Sequence, residues 1–170
     1  ALKTGIPRSL TPSPDRTRFY ALNSRFEEVE IIDIATRKTI DSFKLTVGSK
    51  HVRVNNLQPD PNNKFLILMY RTATKLVDRW EIGPPTLVQF DLATKKISRT
   101  IPWPKGEERE GAGVLFSPDG KTLYVCGNLS NTLLELDVAS GRVLRVFDVG
   151  VAPYDVVLTD ELPDGGIAWN

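Results

Sequence analysis

The sequence predicts an all-β fold built from a repeated four-stranded unit. Three observations lead to this prediction: three segments of the 170-residue chain align with one another, they recur at a nearly constant spacing, and each carries the same two turn signatures. No stretch combines helix caps with a 3.6-residue apolar period. Internal repeats determine the architecture of a chain more directly than any single motif does.

Each copy contains a turn, a β-rich strand and a second turn. The first copy reads S-P-D-R-T-R-F-Y-A-L from Ser13 and I-I-D-I-A-T-R-K from Ile31. The second reads D-P-N-N-K-F-L-I-L-M from Asp60 and Q-F-D-L-A-T-K-K from Gln89, and the third reads S-P-D-G-K-T-L-Y-V-C from Ser117 and E-L-D-V-A-S-G-R from Glu135.

The spacing of these copies is that of β-propeller blades. Pro14 precedes Asp33 by 19 positions and Pro118 precedes Asp137 by 19, whereas Pro61 precedes Asp91 by 30, so the second copy carries 11 extra residues. The three prolines are separated by 47 and 57 positions, and the second interval becomes 46 without the insertion. A period of about 40 to 50 residues with four strands is typical of a propeller blade.

Each unit is expected to contain four strands in chain order. The proline of the first turn presets φ, its aspartate can bond the backbone ahead, and Gly or Asn tolerates a left-handed conformation. In D-x-A-[TS], the aspartate can accept hydrogen bonds from exposed N–H groups. The fourth strand is the most polar and is expected at the edge. The predicted strands include first strands Arg8 to Leu10 and Val114 to Phe116, second strands Arg18 to Leu22, Lys64 to Tyr70 and Thr122 to Cys126, and fourth strands Lys38 to Phe43 and Arg142 to Phe147.

We interpret residues 1–170 as one partial propeller, with blades at approximately 7–51, 52–109 and 110–152 and an incomplete fourth at 153–170. Pro153 to Leu158 is expected to be the innermost strand of this fourth blade. Closed propellers usually have four to eight blades. The chain is therefore expected to be part of a longer polypeptide, most simply a seven-bladed ring, or a half-ring completed by another chain. A complete chain of this length would be expected to dimerise.

Composition argues against several function classes. Charged residues make up 25% of the chain, yet the net charge is +1 and the basic residues are dispersed. Nucleic-acid-binding proteins usually show a clustered basic face, so no nucleic-acid partner is predicted. The longest apolar run, Phe65 to Tyr70, is far shorter than a membrane span. The single cysteine, Cys126, permits neither an internal disulfide nor a multi-thiolate metal site.

No catalytic, metal-binding or cofactor-binding constellation is present in the sequence. A nucleophile triad needs a base, and the one histidine, His51, lies beside Lys50 and Arg53, where a solvated or packed role is expected. Cys126 falls in a predicted strand, where cysteines are usually buried small hydrophobes. The acidic groups near 107–110 and 160–164 match no calcium loop. The glycines at 106, 111 and 113 are not followed by the Lys-Ser/Thr of a phosphate loop.

Function is expected on the face where strands two and three of each blade are joined. Loops on a rigid scaffold are where binding residues concentrate, and the variable segments gather there: 23–27, the insertion 71–85, 102–110 and 127–131. The candidate binding residues are Arg71, Lys75, Arg79 and Trp80 in the insertion, Trp103 in a Pro-Trp-Pro turn, and Asn128. An exposed Trp beside Arg is typical of an interface anchor; the alternative is that both tryptophans pack these loops onto the sheets.

The third copy, Y-V-C-G-N-L-S-N-T-L-L-E-L-D from Tyr124, resembles the YVTN-type β-propeller repeat family, whose run reads roughly Y-V-T-N-x-x-S-N-T-V-x-V-I-D. The first copy has the same length from Tyr20 to Asp33. The third copy departs from the pattern at Gly127, and the second copy departs at Ile67 and Tyr70. The resemblance covers nearly the whole chain and implies an extracytoplasmic protein, periplasmic or secreted, while propellers host many unrelated activities.

A narrower stretch, W-E-I-G-P-P-T-L-V-Q-F-D from Trp80, is similar to the β subunit of quinohemoprotein amine dehydrogenase, a seven-bladed propeller that supports redox subunits. Three functional hypotheses follow. The leading one is a non-catalytic scaffold that binds a protein partner or ligand through the insertion-bearing face. The others are a propeller subunit of a redox enzyme, and a propeller fused to a hydrolase domain absent from this chain. No Cys-x-x-Cys-His haem attachment occurs in the sequence.

Overall fold

The computed structural model describes residues 7–23, 27–48, 50–102 and 111–158. This part of the chain forms thirteen β-strands and no helix, as the sequence predicts. The strands are β1 Pro7–Pro12, β2 Arg18–Asn23, β3 Glu28–Asp33, β4 Lys38–Lys44, β5 His51–Pro59, β6 Phe65–Lys75, β7 Trp80–Ile82, β8 Thr86–Asp91, β9 Lys96–Ile101, β10 Gly111–Phe116, β11 Thr122–Gly127, β12 Thr132–Asp137 and β13 Val143–Asp148.

These strands form three antiparallel sheets, one for each sequence repeat. Blade one has the order β1-β2-β3-β4, and blade three has the order β10-β11-β12-β13. Blade two has the order β5-β6-β8-β9, and β7 pairs only with β6. The prediction of four strands in chain order, with the polar fourth strand at the edge, is confirmed for blades one and three, and blade two has the same four strands with β7 added.

The core lies between the blades rather than within them. One cluster joins blade one to blade two, and its blade-two side includes Leu66, Leu68 and Tyr70. The other joins blade two to blade three and includes Ile67 and Met69. Because successive side chains of a strand point to opposite faces, β6 contributes to both clusters. Burial on both faces explains why this strand is a continuous apolar run instead of an alternating one.

The D-x-A-[TS] turns are held by their aspartates, as predicted. Asp33 Oδ1 accepts hydrogen bonds of 2.6 Å from both the backbone N–H and the hydroxyl of Thr36. The Asp91–Thr94 and Asp137–Ser140 pairs repeat this geometry at 2.6 to 2.8 Å. Hydrogen bonds to the ionised carboxylate lower the pKa of all three aspartates.

The insertion of the second copy is not the loop that the sequence suggested. Strand β6 continues to Lys75, and β7 returns beside it, with Ala73 opposite Ile82 and Lys75 opposite Trp80. The backbone N–H of Leu76 donates to the carbonyl of Arg79 at 2.8 Å and closes the turn. Most of the 11 additional residues therefore extend the sheet, because the alternating Thr-Ala-Thr after Arg71 suits a half-buried β-ribbon.

Segment 153–158 forms no hydrogen-bonded strand in the described part of the chain. A first strand of a blade pairs only with the second strand of its own blade, so the fourth blade stays a prediction. This segment nevertheless passes close to β10: a Cβ built on Gly113 would lie 2.8 Å from Asp155 Cα. Glycine permits this close backbone approach.

Candidate binding face at the β6–β7 hairpin

The described connections divide between two ends of the sheets. The short S-P-D and D-x-A turns lie at one end, which we call the turn face. The β6–β7 hairpin, the β11–β12 turn and the start of β5 lie at the other end, which we call the hairpin face. This division follows from antiparallel strands in chain order. The hairpin face is the one on which the sequence predicts binding residues.

The hairpin projects large apolar side chains into solvent. Val77, in its turn, is fully exposed, while Trp80 is 45% exposed and Ile82 is 46% exposed. Ala73, opposite Ile82, is buried. The base of the hairpin is therefore packed, and its tip is available for contact. Exposed apolar groups of this size on a paired ribbon make the hairpin a candidate interaction site.

Trp80 is positioned by a residue that the sequence analysis did not place in the site. Its ring meets the ring of His51 edge-on, with centroids 5.2 Å apart and an interplanar angle of 80°. His51 Nδ1 lies 3.6 Å from Glu27 Oε2, and the side chain of His51 is 57% exposed. Glu27, His51 and Trp80 come from three distant segments of two blades. Strand register places His51 and Trp80 on one side of the ribbon, because His51 and Ile82 are both opposite Ala73. Glu27 approaches His51 from blade one.

The same face of the β5–β6 ribbon carries several cations. Arg53 lies directly opposite Arg71 in the register, and Lys75 follows Arg71 on the same side because side chains alternate. Arg71 is half-buried, and Arg53 and Lys75 are exposed. Like charges placed directly opposite each other on a sheet are destabilising. Arg53 and Lys75 therefore give this side of the ribbon a positive charge beside the exposed Trp80.

Arg79 lies at the tip of the hairpin, and among the described residues its side chain pairs with its neighbour Asp78. Its Nη1 is 3.2 Å from Asp78 Oδ1, and both side chains are about 70% exposed, at 68% and 70%. Such an exposed pair between neighbouring residues contributes little to stability. Arg79 is therefore available to a partner at small cost.

The two remaining candidate binding residues are Asn128 and Trp103. Asn128 Nδ2 donates to the carbonyl of Pro153 at 3.4 Å, so its described hydrogen bond ties down the chain after β13 and does not involve the hairpin. Trp103 lies outside the described residues. The structure therefore brings together Arg71, Lys75, Trp80 and, at the tip, Arg79, to which it adds His51, Glu27 and Arg53.

Cys126 is buried in β11, as predicted. The side chain is 1% exposed, and burial, helped by the charge of Asp155, raises the pKa of its thiol to about 11. A thiol in this setting stays protonated and unreactive at neutral pH. Across the described ranges, no group of three His, Cys, Asp or Glu side chains could hold a metal ion. Those ranges also contain no helix long and apolar enough to cross a membrane.

The turn face carries a shallow depression that the sequence analysis missed. Its volume is about 320 Å³, and turns of all three blades line it, with Pro14, Pro61 and Pro118 at equivalent positions. Only Arg16 contributes a charged side chain to the lining. The repeated prolines indicate equivalent turns in the sequence. They meet in one depression only because the blades are arranged around one axis.

Comparison with solved structures identifies the fold. The chain is similar to Kuenenia stuttgartiensis hydrazine synthase, with a TM-score of 0.60 and 20% identity over 91% of this chain and 42% of that chain. It is similar to Pseudomonas aeruginosa periplasmic gluconolactonase, with a TM-score of 0.57 and 21% identity over 88% of this chain and 41% of that one. It also resembles the RRP9 WD40 repeats, with a TM-score of 0.59 and 10% identity over 88% of this chain and 40% of that one.

The chain has a β-propeller fold. At these identities the similarity establishes the fold alone, and the three neighbours differ in what their names describe. The chain spans about two fifths of the length of each of them. No protein-family model matches the sequence, and no curated protein matches it.

Proposed function

We propose that this chain is part of a non-catalytic β-propeller scaffold that binds a protein partner through the hairpin face. The observation that carries the proposal is the β6–β7 hairpin, whose tip presents a 45%-exposed Trp80 and a fully exposed Val77 on a paired, rigid ribbon. Trp and Arg are the residues most enriched at the energetic centres of interfaces. A rigid ribbon loses little conformational entropy when it is bound.

The chemistry of the face defines the partner. An apolar pocket would accommodate Trp80 and Ile82, and acidic groups beside that pocket would pair with Lys75 and Arg53. Because Asp78 and Glu81 also lie on the hairpin, complementary charge would determine how the partner is oriented more than how tightly it binds. A folded protein with an acidic-rimmed apolar groove fits both requirements.

The family and location belong to the same proposal. The Tyr-to-Asp repeats support a YVTN-type protein, and with it an extracytoplasmic location, periplasmic or secreted. The three blades and the two-fifths share of each neighbouring chain support a larger ring, which we propose to be seven-bladed. Finding the protein only in the cytoplasm of its native source would contradict the proposed location.

Site-specific photo-crosslinking tests the binding face. A photoreactive amino acid at Val77 should capture a single partner in extracts of the native source, and the same group at Lys121 on the turn face should not. Trp80→Ala in the Val77-labelled chain should abolish capture. Equal capture from both faces, or capture that survives Trp80→Ala, would overturn the assignment of the face.

The redox-subunit alternative has a separate readout. The Trp80-to-Asp91 stretch supports it, and it requires haem- or quinone-bearing partners, since the sequence carries no haem-attachment motif. A haem absorption band in protein purified from the native source would favour this alternative. A colourless preparation of the intact assembly would leave the scaffold proposal standing.

A further inference from the structure

The β7 strand leaves an unpaired edge on the second sheet. β7 pairs with β6 alone, and its other edge meets no strand of the described chain. The neighbouring strand position is aligned with β9, because β7 and β8 both pair with the same side of β6. β9 ends at Ile101, and the following Pro102 has no N–H with which to continue the ladder.

Two backbone hydrogen bonds determine which groups of the hairpin face β6. The N–H of Gly83 donates to the carbonyl of Thr72, and the N–H of Leu76 donates to the carbonyl of Arg79, both at 2.8 Å. Hydrogen-bonded and non-hydrogen-bonded residue pairs alternate along an antiparallel ladder. Arg79, Gly83 and the residue midway between them therefore direct their backbone groups toward the strand that continues β6.

Trp80 and Ile82 direct their backbone groups away from β6. Their N–H and C=O groups form no backbone hydrogen bond with another described residue. The same two residues carry exposed apolar side chains, at 45% and 46%. Unpaired backbone groups and apolar side chains thus coincide at two positions, while Glu81 between them bonds to β6.

The edge of β7 is regular, unlike the other edges of the described sheets. In all three blades, the first and fourth strands each contain a register shift against their neighbour. Bulges of this kind interrupt an edge and hinder its pairing with another chain. The β6–β7 ladder contains no register shift. Among the described edge strands, β7 is therefore the one best suited to accept a further strand.

We propose that the partner adds a β-strand to the free edge of β7, antiparallel to it. This inference rests on the proposed function and specifies how the hairpin face holds its partner. The two partner residues opposite Trp80 and Ile82 each exchange an N–H and a C=O hydrogen bond with β7. In strand addition, backbone bonds supply affinity and alternate side chains supply specificity.

The side chains of β7 specify the chemistry of the added strand. Partner residues opposite Trp80 and Ile82 lie beside these side chains, where aromatic and β-branched pairs are favourable. The partner residue between them lies on the other side of the sheet, opposite Glu81. Glu81 is exposed and forms no ion pair with another described residue, so a lysine or arginine there makes an opposite-charge pair. The added strand is therefore an edge strand of the partner that reads apolar-basic-apolar.

A second copy of β7 is a poor occupant of this edge. Two antiparallel β7 strands related by a two-fold axis at Glu81 place this carboxylate directly opposite its counterpart. Like charges directly opposite each other on a sheet are destabilising. The register has little freedom to shift, because the hairpin turn precedes Trp80 and Pro84 and Pro85 lack N–H groups. A strand from a different protein fits the edge better.

An NMR titration with a synthetic peptide tests the added strand. The peptide is Thr-Val-Lys-Val-Thr with blocked termini, added to the isotope-labelled full chain. The amide resonances of Trp80 and Ile82 should shift most, and that of Glu81 should shift little because its N–H already bonds to β6. N-methylation of both valines removes the donors that face β7 and should weaken binding roughly tenfold. N-methylation of the lysine, whose N–H points away from β7, is the matched control and should have little effect.

Charge reversal tests the pair at Glu81. Thr-Val-Glu-Val-Thr should bind about fivefold more weakly than the lysine peptide. Glu81→Lys in the protein should reverse this preference. Absence of peptide binding, binding that survives N-methylation of both valines, or a preference that Glu81→Lys leaves unchanged would each overturn the proposal.

Photo-crosslinking from Val77 separates a failure of this inference from a failure of the proposed function. Ile82→Pro removes the outward N–H and leaves the hydrogen bonds to β6, so it should abolish capture of the partner, whereas Ile82→Ala keeps the N–H and should retain capture. Circular dichroism should show that both variants are folded. Capture that is lost in Trp80→Ala but survives Ile82→Pro would leave the binding face standing and overturn strand addition.

Two further outcomes assign the edge differently. Equal loss of capture in Ile82→Ala and Ile82→Pro would attribute binding to the side chain and overturn strand addition. A dimer in sedimentation velocity that Ile82→Pro dissociates would make a second copy the occupant and overturn the choice of partner. Peptide binding without any capture from Val77 would instead contradict the proposed function and leave the pairing edge established.

Discussion

Replacing each of two equivalent phenylalanines by alanine should cost very different amounts of stability. Phe43 and Phe147 occupy the same register position in blades one and three, but they are 7% and 36% exposed. The additional cover on Phe43 amounts to roughly 60 Å² of a ~200 Å² side chain, or about 1.5 kcal/mol at ~25 cal/mol per Å². Phe43 also stacks on Phe90 at 4.2 Å and 16°, which adds about 1 kcal/mol.

Phe43→Ala should therefore lower the free energy of unfolding by about 2.5 kcal/mol more than Phe147→Ala, the difference that these burial and stacking contributions give together. The whole loss for Phe43→Ala should be about 4 kcal/mol, as is usual for truncating a buried ring. Equilibrium urea unfolding followed by far-ultraviolet circular dichroism measures both variants. The slope with denaturant should stay constant, because the blades unfold together through their shared core. Equal losses for the two variants would refute the argument that Phe147 is packed less completely than Phe43.

Three further predictions concern pH, the thiol and the chain path. The hydrogen bonds that lower the pKa of Asp137 should stabilise the fold fully above the unfolded pKa of 3.8, and this stabilisation should be lost as pH falls through the lower folded pKa. Asp137→Asn should therefore reduce the difference between the urea midpoints measured at pH 6 and at pH 3. An unchanged difference would exclude this contribution. Cys126 should resist a thiol reagent at pH 8 until urea unfolds the chain, and rapid labelling of the folded protein would contradict its burial. Gly113→Ala should displace the segment around Asp155, so the amide hydrogens of that segment should exchange faster. Unchanged exchange rates would contradict the close approach of Asp155 to Gly113.

The strand content and the turn chemistry could be predicted from local sequence. Asp33 and Asp137 hold their turns as D-x-A-[TS] indicates, because the acceptor and its donors lie three residues apart. Cys126 could be assigned to a buried strand because its neighbours fit a repeat. The β7 strand was missed, because three residues within an insertion have no repeat partner with which to compare them.

The sequence by itself determined the repeating four-stranded unit, its turns and the side of the blade where variable segments gather, since each depends on residues within one repeat. Only the tertiary structure decided that His51 and Glu27 join Trp80, and that Arg99 bonds the next blade while Arg145 folds back on Glu135. Those contacts depend on strand register and on how one blade is rotated against the next. The physical reason is that a side chain in a propeller packs against a residue about one repeat away in the sequence. No local pattern specifies which side chain stands at that position or how it is oriented.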